Sequence, residues 1–246
     1  MAGLLASLIG MGADEAARKQ ELIRLKKGKT NEQKDCIDFF TTTNQGGCGC
    51  LGGGGCLGGS SSTMTMDEYI SKVQEKCRML NIRARAINRL GIDENEIVSL
   101  IDPICLYSFK FSKIDKSYPW IKLENQNAVS SRYMVTWLFF SENQVYVYSY
   151  TFDMTSDDVW EYCCEYFYQD ITCFETTHEI KEKIDTSIAQ GCLKSGETVT
   201  KNNYTVESFR IIVPGDYYTV SMRDAGTQMQ SVQAAKALLR EKKFSK

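Results

Sequence analysis

The 246-residue sequence has very little of several features that commonly mark a function. It contains one histidine, His178, which excludes a site built from several imidazole ligands and leaves few nucleophile–base pairs. Its formal net charge is only −2, so there is no overall positive field of the kind that holds nucleic acid. It also has no run of about 18 consecutive apolar residues, the length that a membrane-spanning helix needs. The composition therefore indicates a globular chain without an evident catalytic signature.

Cysteine, by contrast, is frequent, with ten residues in the chain. A disulfide scaffold is typical of short secreted proteins, whereas this chain is long enough to bury a core, and its apolar residues 1–10 lack the basic stretch of a signal peptide. We therefore expect reduced thiols and a cytoplasmic protein. Cys77, Cys105, Cys163 and Cys164 stand among apolar or strand-forming residues, which predicts a packing role for them.

A glycine-rich segment divides the chain. Residues 46–62 have the sequence GGCGCLGGGGCLGGSSS, which offers almost no side chain for a core and is typical of a flexible linker. We predict four regions: an N-terminal helical segment (1–45), a linker rich in glycine, cysteine and serine (46–63), a helical lead-in (64–102), and a strand-rich domain that ends in a helix (103–246).

Three cysteines of the linker are the sharpest chemical candidates. Cys48, Cys50 and Cys56, with Cys36 as a further ligand, could wrap a Zn²⁺ ion, because thiolates on a flexible backbone can form a tetrahedral site. Their spacing departs from the paired cysteines of structural zinc sites, and the one histidine lies far along the chain. Lipidation of these cysteines, next to the apolar N terminus, is a second alternative. A linker with incidental cysteines is the favoured interpretation, and we expect no cofactor.

Two capping boxes and one apolar stripe predict helices. Thr30 with Gln33, and Thr65 with Glu68, have the capping-box spacing, and the second pair begins a helix over about 66–80. Residues 227–243 predict one amphipathic helix that ends in basic residues. Its apolar stripe consists of Met229, Val232, Ala235 and Leu239.

Between these helices, aromatic and β-branched residues with short polar breaks predict adjacent antiparallel strands. The predicted strands are 105–111, 120–123, 132–140, 144–152, 159–177, 207–213 and 217–222. The fifth exceeds the usual length of a strand, so we expect a bend near Gln169 and Asp170. Within 144–152, Tyr146, Tyr148 and Tyr150 alternate with smaller residues and therefore share one face of the sheet. We expect these rings to pack against neighbouring strands and the lead-in helices, and the alternative is that they are exposed as one patch and form a binding face.

The segment 159–176 (VWEYCCEYFYQDITCFET) is similar to a strand-to-strand passage, EYFYxDI followed by T, of uncharacterised bacterial proteins with a pleckstrin-homology-like (PH-like) domain. The lead-in segments 88–97 and 102–104 resemble the same proteins. The resemblance covers about residues 80–246 and implies an α+β fold, namely a PH-like antiparallel β-barrel or sandwich of about seven strands, capped by a C-terminal α-helix and preceded by short helices. It implies no catalytic residues. The polar segment 185–203 departs from a compact barrel, and we interpret it as an extended loop.

Catalytic and ion-binding candidates are few. Cys173 and His178 could form a nucleophile–base pair, but a spacing of five places them on opposite faces of a regular strand. The glycine-rich segment lacks the lysine and hydroxyl ending of a P-loop. We expect solvated hairpins at an acidic cluster and at a basic one: Asp153, Asp157, Asp158 and Glu161, and Lys110, Lys113 and Lys116.

The function expected from these patterns is a non-enzymatic protein-interaction or scaffolding module. It would bind another protein or a peptide through an open strand edge, through the aromatic face of Tyr146, Tyr148 and Tyr150, or through its helix-capped end. Nucleic acid is not an expected partner. One alternative is a peripheral membrane-associated protein that uses the apolar N terminus, and a third is a cysteine-dependent hydrolase.

Overall fold

The computed structural model describes residues 17, 19–42, 64–93, 101–124, 127–191, 194–222 and 225–244, which form five helices and nine strands. The helices are α1 (19–26), α2 (Asn31–Thr41), α3 (Met66–Met79), α4 (Ile82–Leu90) and α5 (Ala225–Phe244). The strands are β1 (Ile104–Phe109), β2 (Ile121–Glu124), β3 (Asn127–Ser130), β4 (Arg132–Phe140), β5 (Gln144–Asp153), β6 (Val159–Phe167), β7 (Cys173–Gly191), β8 (Lys194–Val213) and β9 (Asp216–Met222).

Both predicted capping boxes are confirmed. The Thr30 side chain accepts a hydrogen bond from the backbone of Gln33, whose side chain accepts one from the backbone of Thr30 at the start of α2. Thr65 and Glu68 make the same reciprocal pair at the start of α3. Each box satisfies backbone donors that have no partner within the helix, so these two helices begin where their sequences indicate.

The strands form three antiparallel sheets. The first has the order β1–β4–β5–β6, the second has the order β7–β8–β9, and β2 and β3 form a separate hairpin. β4 pairs with β5 over the whole length of β4, from Arg132 opposite Asp153 to Phe140 opposite Val145. The bend expected near Gln169 is confirmed: β6 ends at Phe167, a turn covers 168–170, and β7 begins at Cys173.

The space between the two larger sheets is filled by what we call the inter-sheet core. Alternate residues of β4 and β5, such as Leu138 and Val147, face Phe209 and Ile211 of β8 there. Four residues of α5 complete it: Val232, Ala235, Leu238 and Leu239. Burying each large apolar side chain stabilises the fold by roughly 2 kcal/mol, so α5 is held by its apolar stripe.

The opposite face of the first sheet is covered by helices, in what we call the helix-side core. Tyr69 of α3 is fully buried, and its ring stacks on Phe39 of α2 at 4.7 Å between centroids. The Tyr69 hydroxyl donates a hydrogen bond of 2.7 Å to the Ser130 carbonyl of β3. Because α2 and α3 join one core with the sheet, the segment before the glycine-rich stretch is docked on the strand-rich part of the chain.

β7 and β8 form a hairpin much longer than the strands around it. Their ladder runs from Cys173 opposite Ile212 to Gly191 opposite Lys194, whereas β9 pairs with β8 only over Glu207–Val213. Residues 179–191 and 194–206 therefore extend beyond β9 as a two-stranded arm. The loop interpretation of 185–203 is wrong, because most of this segment lies in the ladder of the arm. A ladder of backbone hydrogen bonds can form without apolar side chains, so the polar composition of this segment did not indicate strands.

The α+β class, the antiparallel sheets and the C-terminal helix are confirmed. The described residues form nine strands where about seven were expected, since the short strand β3 was missed and 159–177 is divided between β6 and β7. The sheets do not close into a barrel: within the described ranges no ladder joins β6 to β7 or β9 to β1. Among the helices that the structure describes, none is long and apolar enough to cross a membrane.

Candidate functional site

The aromatic face of β5 lies under the helices. Tyr148 is fully buried and Tyr150 is 4% exposed, while Tyr146 is half-buried against the same core. The guanidinium of Arg85, on α4, lies 5.0 Å from the centroid of the Tyr150 ring. The expectation that Tyr146, Tyr148 and Tyr150 form an accessible binding face is therefore corrected, because α4 already occupies it.

The outer edge of β6 is the most accessible strand edge of the first sheet. β6 pairs with β5 along one side, from Phe152 opposite Val159 to Gln144 opposite Phe167, and no described strand pairs with its other side. Such an edge presents a row of backbone N–H and C=O groups that another strand can pair with. β6 carries no proline or lysine, and its charged residues are the two glutamates, Glu161 and Glu165.

Apolar side chains accompany this open edge. Val159, Tyr162 and Phe167 are 49%, 41% and 48% exposed, although large apolar side chains are usually buried. They stand at the two ends and near the middle of β6 and lie on both faces of the strand. An added strand would therefore find apolar contacts on each face of the sheet.

α4 anchors one face of β6. Arg85 Nε lies 2.9 Å from Glu161 Oε1, and Arg89 Nε lies 3.1 Å from Glu161 Oε2. Burial acts to raise the pKa of Glu161, but the hydrogen bond and charge of Arg85, with the charge of Arg89, together hold that pKa below its usual range. The carboxylate thus stays ionised and ties the strand to the helix.

β9 supports the other face of β6. The rings of Tyr162 and Tyr218 stack with centroids 4.5 Å apart and an interplanar angle of 6°. Tyr218 also donates a hydrogen bond of 2.5 Å from its hydroxyl to Ser149 Oγ on β5. Because β6 is fixed from both faces, its free edge is presented by a rigid element, which lowers the entropy lost when a partner binds.

The catalytic candidates are not brought together. Cys173 lies opposite Ile212 and His178 opposite Glu207, so the two residues are separated by five strand positions, about 16 Å, and point to opposite faces. His178 Nδ1 lies 3.3 Å from Glu207 Oε1. Burial, followed by the charge of Glu161, raises the pKa of the Cys163 thiol, which disfavours the thiolate that a nucleophile requires.

The acidic residues of the β5–β6 region each have a partner. Asp153 is buried beside Arg132, Asp157 Oδ1 accepts a hydrogen bond of 2.7 Å from Gln33, and Asp158 Oδ2 accepts one of 2.7 Å from Ser156. The described residues contain no group of three or more histidine, cysteine, aspartate or glutamate side chains that could hold a metal ion. Cys48, Cys50 and Cys56 lie outside the described residues.

The basic candidates do not form one patch. Lys110 is half-buried, and burial, followed by the charge of Lys181, lowers its pKa. Lys113 and Lys116 are exposed. The structure thus separates the environment of Lys110 from that of the other two lysines.

The edge of β6 could not be located from the sequence. β5 and β6 are both rich in aromatic residues, and only pairing over long distances makes β5 central and β6 an edge. The one local signal is the pair Glu161 and Glu165, which are four residues apart and therefore share one face, because carboxylates are rarely found in a strand that is buried on both faces.

Comparisons with protein-family models, with curated proteins and with solved structures found no match to this chain.

Proposed function

We propose that this protein is a non-enzymatic interaction or scaffolding module that binds an extended segment of a partner protein along the outer edge of β6. The observation that carries the proposal is the unpaired edge of a nine-residue strand that is held rigid on both faces. Addition of a strand to an exposed sheet edge is a common mode of peptide recognition, in which backbone hydrogen bonds supply affinity and alternate side chains supply specificity.

The partner segment has a definable chemistry. Val159, Tyr162 and Phe167 would contact apolar side chains of the added strand, so the segment is rich in β-branched and aromatic residues. Glu161 is already paired with Arg85 and Arg89, so the partner segment does not need a basic residue next to it.

A PH-like arrangement is part of the proposal. The order of the strands supports it: four strands in one sheet and three in the next are followed by a helix that packs against both, once the β2–β3 hairpin is set aside as an insertion between β1 and β4. In such an arrangement the outer edge of β6 borders the gap between the two sheets.

We also propose that the protein acts in the cytoplasm. The six cysteines that the structure describes are free thiols, which supports a reducing compartment. The separation of Cys173 from His178 supports a binding role over the hydrolase alternative.

Two proline substitutions at neighbouring identical residues test the proposal. Along a strand, backbone N–H groups point alternately to the two sides, so of Cys163→Pro and Cys164→Pro one removes an N–H from the free edge and the other removes one from the ladder with β5. The variant that loses an N–H group of the free edge should fold, as judged by circular dichroism. The variant that loses an N–H group of the ladder with β5 should be destabilised.

Random peptides displayed on phage and selected against the full chain supply the probes. We expect the selected peptides to be extended apolar sequences, to slow amide hydrogen exchange in β6, and to lose at least about tenfold in affinity for the folded proline variant. Tyr118→Lys, at a side chain that is 72% exposed in the segment between β1 and β2, is the control and should bind the peptides normally. Peptides that bind the folded proline variant as tightly as the wild type would contradict the role of β6.

A further inference from the structure

The sequence of β6 is nearly symmetric about its central residue, Cys163. Residues at equal distances before and after Cys163 are of the same type: two apolar residues at the ends, then two aromatic residues, then two glutamates. These pairs are Val159 with Phe167, Trp160 with Tyr166, and Glu161 with Glu165. The exception is Tyr162 with Cys164. The free edge of β6 therefore offers the same kinds of side chain in both directions.

This symmetry matches the geometry of a two-fold dimer. Two edge strands related by a two-fold axis perpendicular to the sheet run antiparallel, and the residue on the axis lies opposite its own copy. With the axis at Cys163, every residue of β6 has a counterpart, and each side chain stays on the face that it occupies in the single chain. The counterparts at the ends are apolar or aromatic pairs, which stabilise antiparallel sheets.

The glutamates of β6 would lie opposite each other, and like charges in that position are destabilising when nothing neutralises them. Glu161, however, is bound by both Arg85 and Arg89, so these three side chains together carry an excess of positive charge. Glu165 is exposed, and its Oε2 accepts a hydrogen bond of 3.1 Å from the neutral amide of Gln144. Its negative charge is therefore complementary to the two arginines of a second copy.

Arg89 is the arginine best placed to reach across the edge. Its side chain is 59% exposed, and its Nε lies 3.1 Å from Glu161 Oε2. Opposite residues of an antiparallel pair have Cβ atoms about 5 Å apart, so Glu165 of the second copy would lie beside the guanidinium that holds Glu161. A guanidinium has five N–H donors and can bind two carboxylates at once.

The helices leave room for this pairing. α4 packs mainly over β4 and β5. In a joined sheet, β5 of one copy lies three strand spacings, about 14 Å, from β5 of the other. Packed helices need only about 8–10 Å between their axes, so the two copies of α4 fit on the same face without overlap.

We propose that the extended segment bound by β6 is β6 of a second copy of this chain, so that two four-stranded sheets join into one continuous antiparallel sheet. This partner rests on the proposed function, because it uses the same free edge. It has the chemistry expected of the bound segment, since β6 is itself rich in aromatic residues.

Sedimentation equilibrium of the full chain under reducing conditions tests the pairing. We expect a monomer–dimer equilibrium, with slower amide hydrogen exchange in β6 at concentrations where the dimer dominates. A short bismaleimide should link Cys163 to its own copy in the dimer, as detected by mass spectrometry, and Cys163→Ser should lose this link. Cys164→Ser is the matched control, because the side chain of Cys164 points to the other face, and it should keep the link.

Reversal of charge tests the register. Glu165→Lys brings a lysine to Arg85 and Arg89 in both halves of the dimer and should weaken association at least about tenfold. Arg89→Glu combined with Glu165→Lys exchanges the two charges and should restore most of that loss. Glu75→Lys, at an exposed glutamate of α3, is the control for net charge and should dimerise as the wild type does. Circular dichroism checks that each variant is folded.

Three results would overturn self-pairing: a chain that stays monomeric up to about 1 mM, a dimer whose β6 amides exchange as fast as those of the monomer, or equal association of Glu165→Lys and Glu75→Lys. The peptides selected on phage separate this outcome from the proposed function. Peptides that protect β6 in a chain that stays monomeric would overturn self-pairing alone, whereas peptides that ignore the folded proline substitution contradict the binding role of β6 itself. If both proposals hold, a saturating peptide should dissociate the dimer.

Discussion

Arg132 and Asp153 form an ion pair in the interior of the protein, with Arg132 Nε 3.1 Å from Asp153 Oδ2 and the two side chains only 4% and 6% exposed. The remaining polar atoms are also paired. Asp153 Oδ1 accepts hydrogen bonds from the backbone and hydroxyl of Thr155, while Arg132 Nη1 donates to the Ser117 carbonyl at 2.9 Å. The pair joins the first residue of β4 to the last residue of β5 and holds the segment before β2 against them.

Removal of one member of this pair should be strongly destabilising. Asp153→Ala leaves a buried guanidinium without its counter-ion, and we expect the free energy of unfolding to fall by about 3 kcal/mol. Urea denaturation followed by circular dichroism measures the change. The control is Glu182→Ala, which removes an exposed ion pair with Lys201, 3.0 Å long, and should cost less than about 1 kcal/mol. Equal losses from the two variants would show that burial of the pair is unimportant.

The hydroxyl of Tyr69 should contribute measurably to the docking of α3. Tyr69→Phe keeps the stacked ring but leaves the Ser130 carbonyl without its donor in a buried place, and we expect a loss of about 1 to 2 kcal/mol in the free energy of unfolding. Thermal and urea denaturation provide the measurement. Tyr118→Phe, at a residue that is 72% exposed, is the matched control and should leave stability unchanged. If Tyr69→Phe also left the free energy of unfolding unchanged, the hydrogen bond to β3 would not stabilise the fold.

Thiol reactivity should divide the cysteines by burial. Burial raises the pKa of Cys36 to about 12, as it does for Cys77 and Cys105, so at pH 8 roughly one molecule in ten thousand carries each thiolate. Cys173 is exposed. Among the cysteines that the structure describes, we expect iodoacetamide to modify Cys173 before the three buried thiols, which should react only slowly, as measured by mass spectrometry of peptides.

Labelling of the same thiols in urea is the control for this experiment, since unfolding removes the burial and should make their rates alike. In the folded protein the contrast should diminish as the pH rises toward 12, because the buried thiols then ionise. Rapid modification of Cys36 at pH 8 in the folded state would contradict the packing of α2 against the sheet.

Much of the local structure could be predicted because the signals are local. The capping boxes of Thr30 and Thr65 involve residues three apart, and the bounds of β4 agree with the aromatic run that begins at Arg132. The turn after Phe167 interrupts a run that is too long for one strand. In each case the residues that form the element also carry its pattern.

The candidate sites could not be predicted in this way. Whether an aromatic strand is central or at an edge depends on which strands pair with it, and β5 and β6 have similar compositions. A cleft lined by Arg78 of α3 and Tyr107 of β1 could not be predicted for a similar reason, because these residues lie on separate elements that come together only when α3 packs beside β1. The polar arm was missed because its ladder is made of backbone hydrogen bonds.

The sequence by itself determined where most helices and strands begin and end, and that Tyr146, Tyr148 and Tyr150 share one face of a strand, because these properties follow from capping and from the period of two along a strand. Only the tertiary structure decided that helices cover this face and that β6 remains open. Both faces of β5 are suited to burial, and its alternation cannot specify which distant segments will cover each one. That choice is made by packing between residues far apart in the chain.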